Sequence, residues 1–244
     1  MKLQGISVLS QKPVEVEVDG EAIGRVRELT GPAEDLPVLS PGFLDMQVNG
    51  FRGSDYSLED FGVQHLRRIM AALAETGTTQ HVPTIVSEPQ ERIVGNLKVI
   101  AAAARESEEV AQAIAGIHVE GPFISAEDGP RGAHDPRFVR NPDFAEFEQW
   151  QEAAEGRLRI VTVAPERRGA LAFIEKVVAA GVAVAIGHTG AAPELVREAV
   201  AAGASLSTHV GNGSHTQMPR LRNYIWEQLA ADELTAGIIT DGFH

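Results

Sequence analysis

An α/β fold is predicted, with successive parallel strands winding in one direction behind a small antiparallel segment. Three observations predict it. Short apolar runs alternate with helical stretches from Pro41 onward. The helices tend to stop at a glycine just before the next apolar run. Residues 1–40 instead alternate apolar and acidic side chains, as in Val14-Glu15-Val16-Glu17-Val18 before the Asp19-Gly20 turn, which is the pattern of a half-buried antiparallel strand.

The chain divides on this reading into a small β-sandwich segment, 1–40, and a larger β-α segment, 41–244. The first helix of the larger segment places Phe61, Leu66, Ile69, Met70 and Leu73 on one face and ends at Thr76-Gly77. Helix Ala170 to Ala180 stops at Gly181, and helix Pro193 to Ala202 stops at Gly203. Glycine takes the left-handed cap that a β-carbon penalises, and Pro193 suits a first helical turn. Candidate strands are Phe43–Val48, Thr78–Val82, Ile114–Val119, Leu158–Val163, Val182–Ile186, Ala204–Thr208 and Ala236–Thr240. These fit a (β/α)8 TIM barrel with about seven of its strands present, because a closed barrel takes eight units over about 250 residues. The chain is therefore expected to be incomplete at its C-terminus, with exposed strand edges that favour aggregation. An open doubly wound sheet, complete with seven strands, is the competing architecture.

Composition narrows the function. The 244 residues are 43% apolar and 23% charged, ordinary values for a globular protein. A formal net charge of −13 without a basic cluster argues against nucleic acid as partner, and a small solute is expected instead. There is no cysteine, so a metal must be held by imidazoles and carboxylates. No stretch reads as a leader or a membrane span, which makes the cytoplasm the expected location. Glu106, Glu108 and Glu109 read as a solvated helix end, Phe144, Phe147 and Trp150 as packing, Arg167-Arg168 as surface, and His65 and His81 as core or surface imidazoles.

Polar groups follow the candidate strands: Gln47 and Asn49, Glu120, His188, His209, and Asp241 with His244. In a barrel these ends converge on one face, where active sites are built. Two imidazoles and one carboxylate at a common point are the protein ligands of a catalytic zinc-type site, with water completing the coordination.

The run Pro41-Gly42-Phe43-Leu44-Asp45-Met46-Gln47-Val48-Asn49-Gly50 resembles the first-strand motif of N-acetylglucosamine-6-phosphate deacetylases, of the amidohydrolase superfamily. So do His118-Val119-Glu120-Gly121-Pro122-Phe123, Arg131-Gly132-Ala133-His134, Gly187-His188-Thr189, Thr208-His209 and Asp241-Gly242-Phe243-His244, in the same order over nearly the whole chain. The resemblance implies a metal-dependent hydrolase that releases acetate from an N-acetylated amino-sugar phosphate. It implies that Glu120, His188 and His209 bind one divalent ion, zinc or iron, since Gln47-Val48-Asn49 stands where two-metal relatives carry His-x-His. It further implies that His134 polarises the acetamide carbonyl, that the Ala133 backbone touches the sugar, and that Asn212, Gly213 and His244 line its pocket. Arg222 is the best match for a phosphate-binding arginine, although the stretch His209 to Tyr224 departs from the family's pattern. The family's acid/base aspartate is expected beyond His244, and a homodimer is expected of the full-length protein. Two other readings stand beside this one: an amidohydrolase acting on another amide or N-acyl substrate, and a non-catalytic sugar-binding barrel.

Overall fold

The computed structural model describes residues 1–31 and 35–242, in two compact units, Met1–Phe43 and Leu44–His244. The first is a four-stranded sheet of β1 (Lys2–Ser7), β2 (Pro13–Asp19), β3 (Ala22–Glu28) and β4 (Val38–Leu39), in the order β3-β2-β1-β4. Strands β1 and β2 pair antiparallel, from Lys2 opposite Glu17 to Ile6 opposite Pro13. The acidic side of β2 is not uniformly wet. Glu15 is buried, and its carboxylate accepts from Gln4 Nε2 at 2.8 Å and pairs with Arg27 and Lys2. A buried carboxylate needs such partners, because desolvating it alone is costly.

The second unit holds a sheet whose strands follow chain order: β5 (Phe43–Val48), β8 (Thr78–Ile85), β9 (Ile117–Glu120), β10 (Leu158–Val163), β11 (Ala183–Ile186), β12 (Leu206–Ser207) and β13 (Thr235–Ala236). A two-stranded ribbon, β6 (Gly50–Phe51) with β7 (Ser54–Asp55), follows β5. Neighbouring strands from β8 to β13 all pair parallel. A doubly wound sheet reverses its strand order at a switch point. This order never reverses, so the winding is that of a barrel.

Strands β12 and β13 are less than half the length the sequence suggests, and β9 and β11 are shorter by one or two residues. Strand β12 pairs only through Leu206 and Ser207, because the chain turns away at His209 with φ +26°. Strand β13 begins one residue early and pairs only through Thr235 and Ala236. At the start of β9, Ile114 forms only an isolated bridge with His81.

The helices are α1 (Val63–Ala74), α2 (Gln90–Glu106), α3 (Glu108–Ala113), α4 (Phe144–Ala153), α5 (Ala170–Ala179), α6 (Pro193–Ala201) and α7 (Tyr224–Ala230). Their apolar stripes, such as Leu66, Ile69 and Leu73 of α1, join the outward residues of the strands in one core. Among the described residues, no helix is long and apolar enough to cross a membrane.

Strand alternation fills the other face of the sheet with layers. Val82, Ile160, Ala185 and Leu206 cluster apart from the main core. Two residues further along three of those strands come Thr84, Thr162 and Thr208. Side chains two apart share a face, so the threonines sit on the apolar layer. His118 joins them, with Nε2 at 2.7 Å from Thr162 Oγ1 and Nδ1 at 3.3 Å from Thr84 Oγ1, while Thr162 and Thr208 bond at 2.7 Å. Burial pushes the His118 imidazole down to about 4. Glu120, two residues on, stands one layer higher.

Candidate metal centre

Each strand of the parallel sheet from β5 to β12, the β6–β7 ribbon aside, delivers a polar group at or just past its C-terminal end. Asn49 follows β5 and Ser87 lies two residues past β8. Glu120 ends β9, Glu166 lies three past β10, and His188 and His209 lie two past β11 and β12. Of the five non-glycine residues described with positive φ, two are His188 (+49°) and His209 (+26°). Such strained backbone collects where geometry is held for function, and here it turns both imidazoles inward.

Glu120 Oε1 lies 3.2 Å from His188 Nε2 and 2.8 Å from His209 Nε2, and the two nitrogens are 3.2 Å apart. Ligands bound tetrahedrally at 2.0–2.1 Å have edges of about 3.3–3.4 Å, so the triangle is nearly the face such an ion requires. Its proton chemistry also fits. His188 Nδ1–H donates to Pro130 O at 2.9 Å, which leaves a lone pair on Nε2 facing a carboxylate oxygen. Two acceptors stay that close only with a cation or proton between them. Burial would raise the Glu120 pKa, but the His188 and His209 hydrogen bonds outweigh it and hold the carboxyl well below its ordinary value. Burial works against the charged form of His209 too, and the Glu120 bond overcomes it and raises the pKa. The site thus favours positive charge at its centre, and these three residues fit a divalent ion.

The surroundings hold the ligands in place. Asn49 Nδ2 donates to Glu120 Oε2 at 3.2 Å, leaving Oε1 for the centre. The loop bearing His188 is tied to Glu166, which accepts from Thr189 Oγ1 at 2.6 Å and from the Gly190 N–H at 2.8 Å. Gly132 and Gly213 lie against the His188 ring, where a β-carbon would come within 3.2 Å and 2.6 Å.

His134 is the fourth group at the centre, buried as Glu120 and His188 are. Its Nε2 lies 3.3 Å from His188 Nε2 and 4.0 Å from Glu120 Oε2. By distance alone Glu120, His134 and His188 form a possible metal-binding trio. The Ser87 N–H, however, donates to His134 Nδ1 at 3.3 Å. A nitrogen that accepts carries no proton, so in the neutral ring the proton is on Nε2, which makes His134 a donor into the site. Burial pushes its pKa down to about 4.

The remaining expected residues are more scattered. Ala133 is exposed next to His134, while Asn212 and Gly213 line a narrow recess with His188, Thr208 and Tyr224. Arg222 is exposed and ion-paired with Glu194 of α6. His244 lies outside the described residues. His65 accepts from the Gly62 N–H beside α1, and His81 is buried against Tyr56 Oη at 2.7 Å. Sequence reasoning missed Ser87 and Glu166 and noted Asn49 only as a polar group standing where two-metal relatives carry His-x-His. The available signal was position, since all three follow a strand.

No family model matches the sequence. The chain is 32% identical over 220 residues to the N-acetylglucosamine-6-phosphate deacetylase of Bacillus subtilis (strain 168), covering 89% of this chain and 54% of that protein. It is 33% identical over 213 residues to the N-acetylgalactosamine-6-phosphate deacetylase of Shewanella sp. (strain ANA-3), covering 84% and 50%. The chain therefore spans about half the length of the curated relatives it matches. Among solved structures, a mutant N-acetyl-D-glucosamine-6-phosphate deacetylase from Mycobacterium smegmatis, in complex with N-acetyl-D-glucosamine-6-phosphate, superimposes with a TM-score of 0.83 at 31% identity. That match covers all of this chain and 64% of the other.

Proposed function

We propose that this chain, a homologue of the N-acetylglucosamine-6-phosphate deacetylases, forms the metal-binding part of an enzyme that removes the acetyl group from N-acetylglucosamine 6-phosphate, giving glucosamine 6-phosphate and acetate. The observation that carries the reading is the triangle of Glu120 Oε1, His188 Nε2 and His209 Nε2 beside a third imidazole, His134, whose proton points inward. Glu120, His188 and His209 would hold one divalent ion, with zinc or iron suited to two imidazoles and a carboxylate. Such an ion supplies Lewis acidity, lowering the pKa of water and polarising a carbonyl.

The chain's own residues do the rest. His134 would donate from Nε2 to the acetamide oxygen as negative charge develops there, and the burial of the ring strengthens that bond. Ala133, next to His134, and Asn212 and Gly213, on the recess beside His188, would contact the sugar. Arg222 is the candidate for the phosphate. It would exchange its exposed pair with Glu194 for a bidentate contact, an exchange that costs little because surface ion pairs are weak.

A second reading has support in the Shewanella relative, whose name specifies the galactosamine epimer at comparable identity. Acetate release by the complete gene product from N-acetylglucosamine 6-phosphate, N-acetylgalactosamine 6-phosphate and unphosphorylated N-acetylglucosamine tests both. Highest kcat/KM on the first is expected, and Arg222→Lys should narrow its advantage over the unphosphorylated sugar. Equal efficiency with and without phosphate would move the assignment to another N-acyl substrate.

A further inference from the structure

Ser87 lies two residues past β8 and is 2% exposed, and its hydroxyl has no part in the chemistry described so far. It addresses one atom of one ring twice. Its Oγ lies 2.7 Å from His134 Nδ1, and its backbone N–H donates to the same nitrogen at 3.3 Å. With the N–H committed to that lone pair, the hydroxyl also acts as donor. The fit is close, since a β-carbon on the facing Gly121 would lie 2.3 Å from the Ser87 oxygen.

The consequence appears when the two neighbouring imidazoles are compared. His188 Nδ1 donates to Pro130 O, so its Nε2 offers a lone pair. His134 Nδ1 accepts from Ser87, so its Nε2 offers a proton. The two Nε2 atoms are 3.3 Å apart and both are buried. One ring is prepared to ligate and the other to donate, and the difference lies in what each Nδ1 meets. With the opposite tautomer, His134 would add a fourth protein ligand. Closed four-ligand sites are structural, whereas catalytic ones keep a position open.

We propose that Ser87 is a positioning residue that sets His134 in its Nε2–H form, keeping it a hydrogen-bond donor to the substrate and preventing it from becoming a fourth ligand that closes the metal site. What the donor acts on rests on the deacetylase reading; the tautomer does not.

Long-range ¹H–¹⁵N spectra of histidine-labelled complete gene product give the tautomer of each ring directly. His134 is expected protonated at Nε2 and His188 at Nδ1. Finding the His134 proton on Nδ1 overturns the proposal without any variant being made. Ser87→Asp reverses the local chemistry, because a carboxylate accepts from Nδ1–H as second-layer carboxylates do for metal-bound histidines. It should bind zinc roughly tenfold tighter while kcat falls, with the His134 proton moved to Nδ1. Ser87→Ala loses one hydrogen bond and should lower kcat about five- to tenfold, with KM and zinc affinity little changed. A kcat for Ser87→Ala equal to wild type, or weaker zinc binding by a folded Ser87→Asp protein, overturns the proposal. If no N-acetylhexosamine phosphate is hydrolysed at all, the deacetylase reading fails, and the spectra still decide the role of Ser87.

Discussion

Replacing Gly213 by alanine tests whether the His188 ring is held by the close approach of backbone. A β-carbon there would lie 2.6 Å from His188 Nδ1 and 2.8 Å from Cε1, against an ordinary contact of about 3.5 Å. Two costs separate. Gly213 has φ +57°, a left-handed conformation that costs alanine about 1 kcal/mol whether or not metal is bound. The overlap belongs to the ligating orientation of the ring, and overpacking of this kind costs about 1–3 kcal/mol. Relief by rotating the ring gives up the Pro130 bond and with it the correct tautomer. Zinc affinity should therefore fall about 5- to 150-fold. Gly211→Ala is the control, with φ +93° but nothing within 4 Å of the added carbon. It should lose about 1 kcal/mol of unfolding free energy and bind zinc normally. Competition against a chromophoric chelator gives both affinities. Equal zinc affinity in the two variants would refute the contact argument.

Asn49→Leu removes the donor that fixes Glu120 Oε2 and should weaken zinc binding by about tenfold, read by the same competition assay; unchanged affinity would mean that Glu120 needs no such orientation. His81 should make stability pH-dependent. Burial pushes it down to about 4, from about 6.5 when unfolded. The native state thus binds fewer protons, so its contribution is fully present above pH 6.5 and lost as pH falls through about 4. The loss is on the order of 3 kcal/mol, and denaturant unfolding of His81→Gln beside wild type should show a flatter pH profile.

The legible part of the fold was its strands and their order. Leu158–Val163 runs as its apolar pattern indicates, because packing on both faces selects continuous β-branched and aliphatic residues, and Phe43–Val48 also runs as expected although it is a largely exposed edge strand. Leu206–Ser207 and Thr235–Ala236 fell short of their apolar runs, the first because the backbone turns toward the centre at His209. Glu15 reads as a wet residue in an alternating strand, and only its contacts with Gln4, Arg27 and Lys2 show why it is buried. At the centre, Glu120, His188 and His209 stood out as metal-binding residue types after apolar runs. Ser87 did not, because its role depends on which ring nitrogen it meets 47 residues away. Arg222 illustrates the opposite case, a residue type suited to phosphate that the fold pairs with a surface glutamate.

The central claim is that one ion, held by Glu120, His188 and His209, supports deacetylation. Its most direct test is to strip metal from the complete gene product, add zinc back in measured equivalents, and follow acetate release from N-acetylglucosamine 6-phosphate. Activity is expected to rise linearly and level off at one equivalent, with neither His188→Ala nor His209→Ala recovering it. A plateau at two equivalents, or full activity in the stripped protein, would contradict the account.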